Sequence, residues 1–233
     1  MAINRQTVGY EAGGKAYESL AVWDDAITGP RPAVLVAPTF MGRSAFEEGK
    51  AEKLAALGYV GFAVDIFGVD TRPSNLDEAM AAMTVLNGDR AKLAQVMTAA
   101  LEQVQALDMV DVAQAAAIGF CFGGKCVLDL ARTGAGLKGV VPFHGLFDAP
   151  PFETAPIIKA KVLALHGWDD PLAKPEAVLA LAAELTAKKA DWQLHAYGHT
   201  QHGFTNPNRP EMYRPDADRR SWQALENFLA EIF

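Results

Sequence analysis

Apolar residues along this chain fall into two alternating rhythms. Short uninterrupted apolar runs, rich in Val, Ile and Leu, are separated by longer stretches in which apolar positions recur three or four residues apart. The first rhythm marks strands buried on both faces, the second amphipathic helices. The runs are Ala33–Ala37, Tyr59–Asp65, Ala116–Gly119, Gly139–Phe143 and Val162–His166, and Trp192–Tyr197 reads as a further strand. The helical stretches are Glu47–Leu57, Leu76–Leu86, Asp89–Leu107 with a break at Asn87-Gly88, Lys125–Ala131, Pro175–Lys189 and Ala217–Phe233. Ahead of them, Thr7–Tyr10 and Ala16–Trp23 flank Gly13-Gly14 and predict an antiparallel hairpin at a sheet edge. Strand and helix taking turns, without internal sequence repeat, predict a mostly parallel central sheet with helices on both faces.

Composition narrows the class. The chain has 233 residues, 50% of them hydrophobic, and no linker-like stretch divides it, so a single α/β domain over residues 1–233 is expected. A net charge of -7 argues against a nucleic-acid partner. No run has the length of a signal peptide's apolar core or of a membrane span, which predicts a cytoplasmic protein without a membrane partner. Its two cysteines, Cys121 and Cys126, sit five residues apart across a turn and a helix start, a spacing that disfavours a disulfide.

The chemistry concentrates around the first of these cysteines. Gly119-Phe120-Cys121-Phe122-Gly123 follows a strand and opens a helix, which is the arrangement of a nucleophile elbow with cysteine at the nucleophile position. The flanking glycines let strand and helix approach closely, and the helix N-terminus favours thiolate over thiol. In a sheet of this kind function gathers just after the strands. Two further strand-end loops carry acids and imidazoles: His166-Gly167-Trp168-Asp169-Asp170-Pro171, and Tyr197-Gly198-His199-Thr200-Gln201-His202-Gly203-Phe204. Asp169 and Asp170 are both candidate acids, and His199 and His202 both candidate bases. No H-E-x-x-H or paired-cysteine spacing occurs, so neither metal nor organic cofactor is expected.

The elbow G-x-C-x-G-G, the strand-end H-G-x-x-D-P and the late H-G-F-T-N-P together resemble the dienelactone hydrolase family of α/β-hydrolases, over essentially the whole chain. The resemblance implies the α/β-hydrolase fold and a Cys–Asp–His triad on Cys121, Asp170 and His202. In that triad His202 takes the thiol proton and Asp170 fixes the imidazole. The oxyanion donors are then the backbone N–H groups of Phe122 and Phe40. Two features depart from the family pattern. Thr39 stands where characterised members carry a glutamate that engages the resting thiol, which predicts a more fully formed Cys121 thiolate. Asn206 stands where they carry a carboxylate-gripping arginine, leaving Arg72 as the alternative cation. Thr39, Phe67, Arg72, Trp168 and Phe204 are the expected substrate-binding residues.

These readings lead to a hydrolase that cleaves a small carboxylic ester or lactone through a thioester, acting as monomer or homodimer. Two rivals stay open: a ligand-binding or redox-sensing protein with a reactive thiol and no turnover, and an acyltransferase using the same triad.

Overall fold

The computed structural model describes residues 2–233. The chain divides into two compact units, one through Ala117 and one from Ile118.

The first unit opens with β1 (Ile3–Ala12) and β2 (Lys15–Asp24), an antiparallel hairpin in register from Ile3 opposite Asp24 to Ala12 opposite Lys15. Gly13 and Gly14 turn it with φ of 57° and 74°, the left-handed pair that a two-residue hairpin loop requires. β3 (Arg31–Ala37) runs parallel to β4 (Val60–Ala63), and β4 pairs antiparallel with β2. Both β3 and β4 are almost wholly buried, as uninterrupted apolar runs predict.

Between them runs α1 (Ala45–Ala56), followed later by α2 (Leu76–Gly88) and α3 (Arg90–Gln105). The break between α2 and α3 falls at Asp89, two residues beyond Asn87, because the Asp89 carboxylate accepts the Lys92 N–H at 3.0 Å and so starts α3. β5 (Val110–Phe120) enters this unit and ends in the second. It is longer than its apolar run, since Asp111–Gln114 are exposed or half-buried and carry no buried-strand signal.

In the second unit, β6 (Gly139–Phe143), β7 (Lys161–Gly167) and β8 (Trp192–Tyr197) are parallel neighbours. α4 (Phe122–Arg132), α5 (Pro175–Ala187) and α6 (Pro215–Ile232) complete it, the last two with proline in the first turn, where a missing N–H is harmless. Every residue of α4 is buried, including Lys125, Asp129 and Arg132.

Arg132 shows how such a helix holds its charges. Its guanidinium meets both carboxylate oxygens of Glu184 at 2.9 and 2.6 Å and Asp129 at 3.1 Å, and donates to the carbonyls of Phe147 and Asp148. One side chain thus joins α4, α5 and the loop after β6. Removing one partner of a buried ion pair strands the other, a cost of about 3–5 kcal/mol. Arg132→Met is therefore expected to lower the free energy of urea unfolding by about 3 kcal/mol or more. A loss under about 1 kcal/mol, the size of an exposed pair, would show that Arg132 is not the tie described here.

Candidate active site

Phe120 ends β5 and Phe122 begins α4, so Cys121 alone makes the turn between them. Its backbone sits at φ 56° and ψ −115°, a conformation that costs a non-glycine residue about 1–3 kcal/mol. The chain supports this strain on both sides. The Cys121 N–H donates to the Phe143 carbonyl at the end of β6, 3.1 Å away. Gly119 has no room for a side chain, because a Cβ there would lie 2.0 Å from the Gly123 carbonyl oxygen. Cys121 itself is half-buried, and no side chain caps the start of α4. The Gly124 N–H turns back to the Cys121 carbonyl at 3.0 Å, and the Phe122 N–H is left for another acceptor.

The loops after β7 and β8 are fastened to each other. Trp168 N–H donates to the Tyr197 carbonyl at 2.9 Å and Asp169 N–H to that of Thr200 at 3.0 Å. A Cβ on Gly167 would lie 2.6 Å from the Thr200 carbonyl oxygen, so only glycine allows this approach. The fastening brings Asp170 and His202 together: Asp170 Oδ2 and His202 Nδ1 are 2.7 Å apart, and both side chains are buried. Asp170 Oδ1 accepts the Leu172 N–H at 2.8 Å, which fixes the carboxylate plane. Asp169 and His199, the other candidates of these loops, are both exposed.

His202 Nε2 is buried and has no partner of standard hydrogen-bond geometry, and Cys121 is the group besides Asp170 that favours the charged ring. Burial opposes a positive ring, but Asp170 and Cys121 outweigh it and raise the imidazole from 6.5 to about 10. His166, fully buried at the end of β7, moves the other way. Burial lowers it most, Asp170 opposes that, the nearby His202 charge adds to it, and the balance favours the neutral ring. Among the described residues no cluster of three or more His, Cys, Asp or Glu could hold a metal ion.

The remaining expected residues are distributed unevenly. Trp168 is 45% exposed and open to solvent, whereas Phe204 is fully buried, packed between His144 and Tyr197. Phe122 and Phe67 are also buried, and Thr39 and Phe40 are half-buried in the loop after β3. Arg72 has carboxylate partners of its own, Glu18 at 3.1 Å and Asp65 at 3.2 Å. Asn206 accepts the Asn208 N–H and serves a turn. One residue escaped the sequence reading. The Glu47 carboxylate, fully buried in the first turn of α1, accepts from Thr39 N–H, Ser44 N–H and Ser44 Oγ, and burial pushes its pKa up. Ser44-x-x-Glu47 is a capping box, the signal that announces it.

Residues 19–233 match the model of the dienelactone hydrolase family. The chain belongs to that family. Among solved structures it is similar to a dienelactone hydrolase-like promiscuous phosphotriesterase, P91, from metagenomic libraries, at 36% identity and a TM-score of 0.94 over 100% of both chains. The dienelactone hydrolase of Anabaena variabilis, 18% identical with a TM-score of 0.73 over 99% of both chains, shares the fold. In sequence the chain is 27% identical to a Bradyrhizobium protein named "Probable 2-oxo-3-(5-oxofuran-2-ylidene)propanoate lactonase", across 84% of this chain and 82% of that one. The architecture is accordingly that of the α/β-hydrolases, with an N-terminal antiparallel hairpin.

The imidazole carries a pH signature. Because its folded value lies above 6.5, its contribution to stability is complete below pH 6.5 and is lost as the pH rises through about 10. The difference in unfolding free energy between wild type and His202→Asn should therefore shrink across that window. A difference that stays constant from neutral pH to beyond 10 would contradict the ion-paired imidazole.

Proposed function

We propose that the chain hydrolyses a small ester or lactone by nucleophilic catalysis, with Cys121 as nucleophile, His202 as base and acid, and Asp170 as its orienting partner. Membership of the dienelactone hydrolase family supports hydrolysis of such substrates. The observation that carries the assignment of roles is the buried Asp170–His202 pair at 2.7 Å, with the second ring nitrogen facing the strained cysteine.

Sγ attacks the carbonyl carbon beside an imidazole that already holds its proton at Nε2, and the new oxyanion is received by the Phe122 N–H. The tetrahedral intermediate collapses to a thioester as His202 gives that proton to the departing alkoxide. Water, deprotonated by the now neutral imidazole, then cleaves the thioester and frees Sγ beside a ring that is protonated again. Asp170 holds the Nδ1–H and balances the positive ring throughout. An alkoxide leaves more readily than an amide nitrogen, which favours esters and lactones over peptides. Cys126, whose nearness to the elbow gives the sensing rival some basis, is fully buried in α4.

The similarity to a promiscuous phosphotriesterase adds a second substrate class for the same thiol. Attack of Sγ on a neutral phosphotriester expels an alkoxide or aryloxide that His202 can protonate.

On this reading Cys121→Ala abolishes hydrolysis of p-nitrophenyl acetate while the circular dichroism spectrum stays that of the wild type. Wild type quenched early in turnover gains the mass of one acetyl group on the peptide containing Cys121. Turnover retained by the alanine variant would discard the nucleophile. Stoichiometric acylation without turnover would instead favour the binding or sensing protein.

A further inference from the structure

His144, just past β6, lies outside the triad and outside the sequence reading of the site. It is one of four non-glycine residues with positive φ among those described, at 37°. A residue with a full side chain accepts such strain, about 1–3 kcal/mol, where the surrounding structure holds it for a purpose. Both neighbours of the strain are fixed. The Phe143 carbonyl accepts the Cys121 N–H at 3.1 Å, and the His144 N–H donates to the Leu165 carbonyl on β7 at 2.8 Å. The strained turn therefore starts at the backbone group that anchors the elbow.

The side chain it projects is 2% exposed and reaches the histidine loop at three points. Its ring stands edge-on to that of His202, centroids 5.2 Å apart at 67°, and to that of Phe204, 5.1 Å apart at 77°. Its Nε2 lies 2.9 Å from the buried Thr205 hydroxyl, three residues beyond His202. Aromatic rings in such edge-to-face contact hold one another's orientation, and the hydrogen bond fixes the rotation of the His144 ring itself. Asp170 restrains His202 only at Nδ1, so a second surface is needed to set how far Nε2 stands from the thiol. We infer that His144 is a positioning residue: one backbone step from the carbonyl that anchors Cys121, it braces the His202 ring so that nucleophile and base keep a common reference.

This rests on the triad proposed above, and its test separates the two. Displacing a reacting group by about 1 Å costs up to about a hundredfold in rate. His144→Ala should lower kcat for p-nitrophenyl acetate by about 10- to 100-fold with KM within about twofold. It should also shift or broaden the downfield proton resonance of the His202–Asp170 hydrogen bond. Thr205→Val, which releases the ring without removing it, should cost about fivefold, the worth of one hydrogen bond. His144→Phe, keeping a ring in place, should recover a part of kcat over the alanine variant and stand as the reference if that variant does not fold. Wild-type kcat in the alanine variant, or an unmoved resonance in Thr205→Val and His144→Phe, would overturn the role. The resonance and the rate of Cys121 alkylation by iodoacetamide need no ester turnover, so they decide the positioning role even where an inactive wild type has sunk the hydrolase reading.

Discussion

A cysteine at φ 56° between a strand and a helix is a conformation the chain resists, and the second unit is built to impose it. The elbow cannot relax into strand, because Gly119 already touches the Gly123 carbonyl and α4 starts one residue later. It cannot relax into helix, because its N–H is bonded to β6. Burial of the whole of α4 removes the third escape, a shift of the helix along its axis. The charged residues that this burial traps are satisfied by Glu184, Asp148 and Asp129. Ion pairs far from the thiol thus support the strain at it, with Arg132 reaching two carbonyls of the loop that follows His144.

Burial also sorts the imidazoles. His166 and His202 are both inside, yet desolvation decides the charge only of His166, whose ring meets aromatic faces from Phe147 and Trp168. At His202 the carboxylate and the thiol overcome the same penalty. One protonated and one neutral ring can be neighbours because repulsion by the first reinforces the neutrality of the second. A second positive ring at His166 would compete for Asp170, and its apolar surroundings prevent that.

The fold was legible in the chain wherever burial was two-sided and uninterrupted. Gly139–Phe143 begins and ends where its pattern does, and the hairpin turns at its glycines. Boundaries slipped where local preference and tertiary packing disagree. α4 begins at Phe122, through Gly123 and Gly124, which by propensity belong to a turn. The Asp170–His202 pair could be named from motif spacing, but the exposure of Asp169 and His199 could not, because it depends on how two loops fasten together. Glu47 was missed, and His144 not placed in the site, for a related reason. Each acts across a long stretch of chain or on a backbone group, and neither interaction leaves a periodic trace. Phe204 shows the converse error: an aromatic on a strand-end loop reads as a pocket wall, and this one is packing for the ring that holds His202.

The departures from the family pattern change meaning once partners are known. Thr39 suggested a first loop without a carboxylate, yet Glu47 supplies one from inside α1, directed at backbone and Ser44 donors of that loop. A carboxylate spent on three donors stiffens the segment that presents Phe40 and has no lone pair to spare in the directions those donors occupy. Arg72 shows the same logic with the opposite charge. One of its terminal nitrogens already meets Glu18 and Asp65, so a substrate carboxylate would approach a guanidinium whose charge anions of the fold already balance. With Asn206 engaged in a turn, neither position offers an uncommitted cation. On the proposed reading, recognition of the substrate's distal end falls to uncharged surface such as the exposed face of Trp168, which suits a neutral ester better than a carboxylated lactone.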